Sequence, residues 1–88
     1  MIWDIVYTLR AEKEVVKMRA SPFYKKLKEI VSIIQSNPYA TPPAFEKLDA
    51  FENVYSRRIN IKHRLVYQVL KDEMIVKIIS LWGHYDDN

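Results

Sequence analysis

The chain contains no cysteine. That excludes disulfide staples and zinc–thiolate centres, and it fits a reducing, cytoplasmic setting. With only two histidines, far apart in sequence, no metal site and no cofactor are expected. Long hydrophobic runs are missing as well. The longest are a few residues, such as Ile30-Val31 and Ile33-Ile34 around Ser32, well short of a membrane span. The N-terminus, Met1-Ile2-Trp3-Asp4, lacks the basic start of a secretory signal. A soluble cytoplasmic protein with no membrane partner is therefore expected. Glycine occurs once, at Gly83, where a bend just before His84 is expected.

One further absence points toward function. No carboxylate lies between Asn53 and Lys71, whereas Arg57, Arg58, Lys62 and Arg64 all fall in that interval. The chain as a whole carries 14 basic and 11 acidic residues, a net charge of +3. The local cluster is thus stronger than the average, and a field of this kind draws polyanions. The plainer reading is a strand face blunted with cations against aggregation.

At 88 residues the chain makes one domain, residues 1–88, with a small core. Ile2 to Tyr7 predicts a strand, and Thr8 an N-cap for a helix beginning at Leu9. Ala11, Val15 and Met18 form the apolar stripe of that helix, with Arg10, Lys13, Glu14 and Lys17 outside it. Ser21-Pro22 predicts the cap and first position of a second helix. Phe23, Leu27, Ile30 and Ile34 are its core stripe, and Asn37-Pro38 closes it. A proline-rich loop, 38–44, leads through Glu46-Lys47-Leu48 into strands at 54–60, 64–70 and 74–82. Their short connections imply antiparallel hairpins. The expected class is α+β, ordered β-α-α-β-β-β, with a two-helix hairpin on a small, mainly antiparallel sheet.

The last third joins cations to groups that move protons. RNA is cut when its own 2′-hydroxyl attacks the adjacent phosphorus. A base must take the hydroxyl proton, a cation must hold the crowded phosphorane, and an acid must protonate the leaving oxygen. The candidate parts are Glu46, Arg64 and His84, with Arg57, Arg58 and Tyr85 as helpers. Each has a plainer reading: Glu46 as a solvated carboxylate, Arg64 as a rim cation, His84 as an imidazole pinned against Trp82, Tyr85 as a docking aromatic. Arg57 and Arg58 alternate on one strand and cannot both face the same RNA; Arg58 is favoured for the site. His63 reads as a structural residue or a light RNA contact.

The runs Tyr55-Ser56-Arg57-Arg58-Ile59 and His63-Arg64-Leu65-Val66-Tyr67, with His84-Tyr85 near the end, resemble the YoeB/Txe toxins of the RelE/ParE toxin–antitoxin superfamily. The resemblance implies a RelE-like microbial-RNase fold. It also implies an endoribonuclease that cleaves mRNA in the ribosomal A site, without a metal, and so inhibits translation. Carried onto this sequence, Glu46 would be the general base, Arg64 the phosphate and transition-state clamp, His84 the general acid, and Tyr85 a stacking or positioning group. Arg58 would contact phosphate, with Arg57, Lys47 and His63 as further RNA contacts. The implied partners are a cognate antitoxin of the YefM/Axe-like, Phd-type class, mRNA and the ribosome with its RNA, and a second copy in a homodimer. Two alternatives stand beside this reading: a non-nuclease toxin that binds a protein such as gyrase, as in the ParE branch, and a plain RNA-binding module.

Overall fold

A computed structural model describes residues 2–82. The expected class holds, with one strand added: β1 (Asp4–Tyr7), α1 (Leu9–Arg19), α2 (Tyr24–Ser36), β2 (Phe45–Lys47), β3 (Val54–Arg58), β4 (Arg64–Leu70) and β5 (Ile75–Ser80). The five strands form one sheet in the order β1-β5-β4-β3-β2. Three pairings are antiparallel, and β1 runs parallel to β5. That one parallel pairing follows from the helical hairpin. Two helices carry the chain back before it re-enters the sheet, so β1 lies at an edge, far from its sequence neighbours.

Thr8 caps α1 as expected. Its Oγ1 accepts the Ala11 N–H at 3.1 Å and donates to the Ile79 carbonyl at 3.0 Å, tying the helix start to β5. Ser21 does not cap α2. Its Oγ accepts the Phe23 N–H two residues on, closing a turn, and the helix begins only at Tyr24. Phe23 therefore lies outside the helix and is 39% exposed rather than buried in the stripe. Leu27, Ile30 and Ile34 are buried as expected.

One face of the sheet carries Leu65, Tyr67, Val69, Val76 and Ile78. These pack with Ala11 and Met18 of α1 and with the α2 stripe to form the core. Strand alternation puts Arg64, Val66, Ser56, Arg58 and Glu46 on the opposite face. The core therefore backs the candidate site without including it.

Tyr67 illustrates how the core end near β2 is tied down. Its ring is fully buried, and its hydroxyl donates to the Pro38 carbonyl at 2.8 Å. Burial pushes its ionisation above the ordinary tyrosine range, outweighing the hydrogen bond and charge of Arg57, which pull it down. Burial likewise raises Tyr7 and Tyr39. A raised folded-state value means that the unfolded chain ionises first. This contribution to stability is present at neutral pH and is lost as pH climbs through and beyond about 10. Thermal melts between pH 7 and 11 are expected to show a steep loss of stability above that point, shallower in Tyr67→Phe. An unchanged slope in that variant would remove Tyr67 as a cause.

Candidate active site

The cationic segment becomes a site because of a short turn. Asn60 Oδ1 accepts the Lys62 and His63 N–H groups, both at 2.7 Å, and the His63 carbonyl accepts Ile59 N–H at 2.9 Å. The turn folds β4 back on β3 so that Arg58 pairs in register with Arg64, and Ser56 with Val66. Beyond β3 lies β2, where Glu46 pairs with Ser56. Glu46, Ser56, Arg58 and Arg64 thus share one face on three adjacent strands.

Arg64 spans that face. Its Nε donates to Ser56 Oγ at 2.6 Å, and its Nη2 donates to Glu46 Oε1 at 3.0 Å. The Arg64 side chain is only 16% exposed, whereas that of Glu46 is 69% exposed. Ser56 and Val66 form a buried floor beneath. The guanidinium is held flat at two points, and among the described residues Nη1 has no hydrogen-bond partner. An ion pair with so exposed a carboxylate adds little stability. Its value lies in geometry, since a forked cation is fixed in plane with a donor to spare, next to a solvent-facing carboxylate. Arg58 is exposed alongside, so the face carries a second cation.

Ser56 is therefore a positioning group that sequence reading passed over inside the Ser-Arg-Arg run. Ser56→Ala removes one of the two fixings of Arg64. On the expected endoribonuclease activity, the variant should lose about tenfold in cleavage with little change in melting temperature, because a misplaced guanidinium lowers rate before the fold is affected. Single-turnover cleavage beside a thermal melt checks this, and full activity in the variant would count against a role for Ser56.

Several expected contacts are placed elsewhere. Glu46 is not on a loop but on β2, an edge strand of three residues. Lys47, its neighbour, falls on the opposite face, in register with Tyr55, and so is not part of the cluster. Arg57 is not on the face of the cluster: it is fully buried on the helix side. Its Nε donates to Tyr67 Oη at 3.0 Å, its Nη1 to the Pro43 carbonyl at 2.6 Å and its Nη2 to the Pro38 carbonyl at 3.0 Å. The guanidinium lies 5.0 Å from the Phe45 ring centroid, within cation–π range. Arg57 therefore pins both ends of the proline-rich loop that delivers β2 and, with it, Glu46. His63 is buried too, its ring stacked on Trp82 at 4.2 Å, so it is a packing residue rather than a surface contact. His84 and Tyr85 lie outside the described residues, as does Gly83. Leu81 and Trp82, just before them, reach the same end of the sheet through the Trp82–His63 stack, one residue from Arg64.

Glu14 was also missed. Read as part of the solvated side of α1, it is instead buried. Its Oε1 accepts the N–H groups of Leu81 and Trp82 at 2.9 and 3.3 Å. The signal was present in its spacing: 14 is three residues past Ala11 and four before Met18, on the same helical face.

Residues 4–85 match the family model for the YoeB-like toxin of bacterial type II toxin–antitoxin systems. The chain belongs to this family. A YoeB dimer from Staphylococcus aureus superposes with a TM-score of 0.81 at 30% identity, covering 97% of this chain and 100% of that one. The YoeB–YefM complex from the same organism gives 0.78 at 30% identity, with the same coverage. The intact RelBE toxin–antitoxin complex of E. coli gives 0.78 at 26% identity, covering 93% of this chain and 96% of that one. A search of the curated proteins finds no match. Among the described residues, no helix of this YoeB-family toxin is long and apolar enough to cross a membrane.

Proposed function

We propose that this YoeB-family toxin is a ribosome-dependent mRNA endoribonuclease, and that the open face of β2, β3 and β4 is where it cuts. The observation that carries the reading is Arg64, braced by Ser56 and Glu46 yet keeping a free donor edge. A phosphorane with charge on its equatorial oxygens meets a fixed, planar cation there, and preorganised donors of this kind supply much of the rate enhancement in such reactions. Glu46, exposed and one hydrogen bond from Arg64, takes the proton of the attacking 2′-hydroxyl. His84 returns a proton to the leaving 5′-oxygen, a task suited to an imidazole, which can both hold and release a proton. Tyr85 stacks on or orients a base. The bond from phosphorus to the 5′-oxygen breaks as the bond to the 2′-oxygen forms. One fragment ends in a cyclic or 3′-phosphate and the other in a 5′-hydroxyl.

Arg58 adds phosphate attraction beside the clamp. The lysines of the helical hairpin, Lys13, Lys17, Lys25, Lys26 and Lys28, add a wider positive field toward ribosomal RNA. Family membership and the likeness to a YoeB–YefM complex support a cognate antitoxin that holds the toxin inactive in the cytoplasm. The likeness to a YoeB dimer supports self-association. A gyrase-directed toxin would have no use for a braced arginine beside an exposed carboxylate, and that pair favours the nuclease reading.

Inducible expression with genome-wide mapping of mRNA 5′-ends tests the proposal. Growth arrest should coincide with new 5′-hydroxyl ends inside coding regions, at positions consistent with the ribosomal A site. Arrest without new ends would sink the nuclease reading and leave the protein-target alternative.

A further inference from the structure

The buried carboxylate of Glu14 has no part in the cleavage chemistry. We propose that Glu14 is a positioning residue for turnover, anchoring Leu81 and Trp82 at the root of the segment whose sequence carries the proposed acid, His84. This rests on the nuclease reading.

The pairing of β5 ends at Ser80, which leaves the N–H groups of Leu81 and Trp82 beyond the ladder. Buried N–H groups need acceptors, and Leu81 is fully buried. Both N–H groups are met by a single oxygen, Glu14 Oε1, at 2.9 and 3.3 Å. Glu14 Oε2 is taken by Arg10 Nε at 3.0 Å. A carboxylate on the inward stripe of α1 is costly unless it is fully paired. Here both oxygens are engaged, and the bonds to the backbone are of the strong, charge-assisted kind.

The Trp82 side chain is gripped separately. Its ring stacks on His63 at 4.2 Å with 29° between planes, and Lys17 Nζ lies 5.9 Å from its centroid. His63 directly precedes Arg64. The last two described residues are therefore tied on the backbone side to α1 and on the ring side to the start of the strand that carries the clamp. His84 follows Trp82 by two residues, and two peptide units span at most about 7 Å. Residues 81 and 82 are thus the described anchor nearest in sequence to the proposed acid. Substrate affinity, by contrast, rests on cations elsewhere on the face.

The expected signature is a loss in turnover rather than in binding. Glu14→Met keeps the helix and the bulk but removes the acceptor, whereas Glu14→Gln keeps an acceptor oxygen. Both are tested in the full chain, by cleavage of mRNA on programmed ribosomes and by amide hydrogen exchange. Glu14→Met should lower kcat by tenfold or more, on the order of what a misplaced reacting group costs, with KM within about twofold of wild type. Exchange should speed up at Leu81 and Trp82 while Val69 and Val76 stay protected. Glu14→Gln should keep both the protection and a kcat within about threefold of wild type, since a neutral acceptor retains the geometry. Wild-type kcat in Glu14→Met, despite faster exchange at Leu81 and Trp82, overturns the positioning role. So does global unfolding of Glu14→Met, with Val69 and Val76 exposed as well, which would make Glu14 a folding residue. If the wild-type protein cleaves no mRNA, the nuclease reading and the role that depends on it fall together. Exchange at Leu81 and Trp82 would then report only the local anchor, so the two failures are told apart.

Discussion

Replacing Arg64 with alanine is expected to reduce mRNA cleavage by about 10²- to 10³-fold, as removal of one preorganised transition-state donor does elsewhere. The fold should survive. The Glu46 partner is largely exposed, and ion pairs of this kind contribute at most about 1 kcal/mol. Arg64→Lys is expected to recover little. A lysine ammonium is a point charge on a flexible stem, and it cannot bond Ser56 and Glu46 while also presenting a planar edge to phosphate. The measurement is single-turnover cleavage on programmed ribosomes, with thermal melts to show that the variants remain folded. A loss below about threefold, well under the effect of one such donor, would mean that the braced arginine is not the clamp.

The largest effect on stability is expected at the neighbouring arginine. Arg57→Met places an apolar chain of similar length in the buried slot, and leaves the Pro43 carbonyl and one side of the Tyr67 hydroxyl without their donor. The Pro38 carbonyl keeps its bond from Tyr67. Orphaned buried acceptors cost about 1–3 kcal/mol each, so a loss of about 3 kcal/mol is expected. In a domain of this size that lowers the melting temperature by on the order of 10–20 °C. Cleavage should fall with it even where the protein is folded, because the loop that carries β2 and Glu46 loses its pins. Arg58→Ala is the contrast. It should leave the melting temperature unchanged, weaken RNA binding and reduce the salt slope by about one. If Arg57→Met melted like wild type while Arg58→Ala did not, the assignment of inner and outer arginines would be reversed.

That contrast also shows how far the sequence could be read. Alternation along one strand already said that Arg57 and Arg58 face opposite ways, and Arg58 was the one favoured for the site. Arg64 stood out in the sequence through the carboxylate-free cationic run and the motif His63-Arg64-Leu65-Val66-Tyr67. The α2 stripe of Leu27, Ile30 and Ile34 was legible from its spacing. β2 was not, since three residues after a run of prolines are too few to show an alternating pattern. Its pairing with β3 depends on contacts distant in sequence. Glu46 and Lys47 therefore read as a connection into the sheet, whereas they lie on β2 and face opposite ways. Ser21-Pro22 looked like a helix start, yet its hydroxyl found a nearer N–H and the helix began three residues later. Glu14 was hidden by its charge. A carboxylate at an inward helical position reads as solvent-facing unless the groups it serves are known, and Leu81 and Trp82 are far along the chain, at sequence separations of 67 and 68.

The most direct test is to remove the attacking group from the RNA itself. Ribosomes are programmed with an mRNA carrying a 2′-O-methyl group at the nucleotide 5′ to the scissile phosphate, and the toxin is added alongside an unmodified control. The expected result is cleavage of the control, leaving a cyclic or 3′-phosphate and a 5′-hydroxyl, with no cleavage at the modified position. Cleavage of the methylated mRNA at that same phosphate would contradict 2′-hydroxyl attack, and with it the roles given to Glu46, Arg64 and His84.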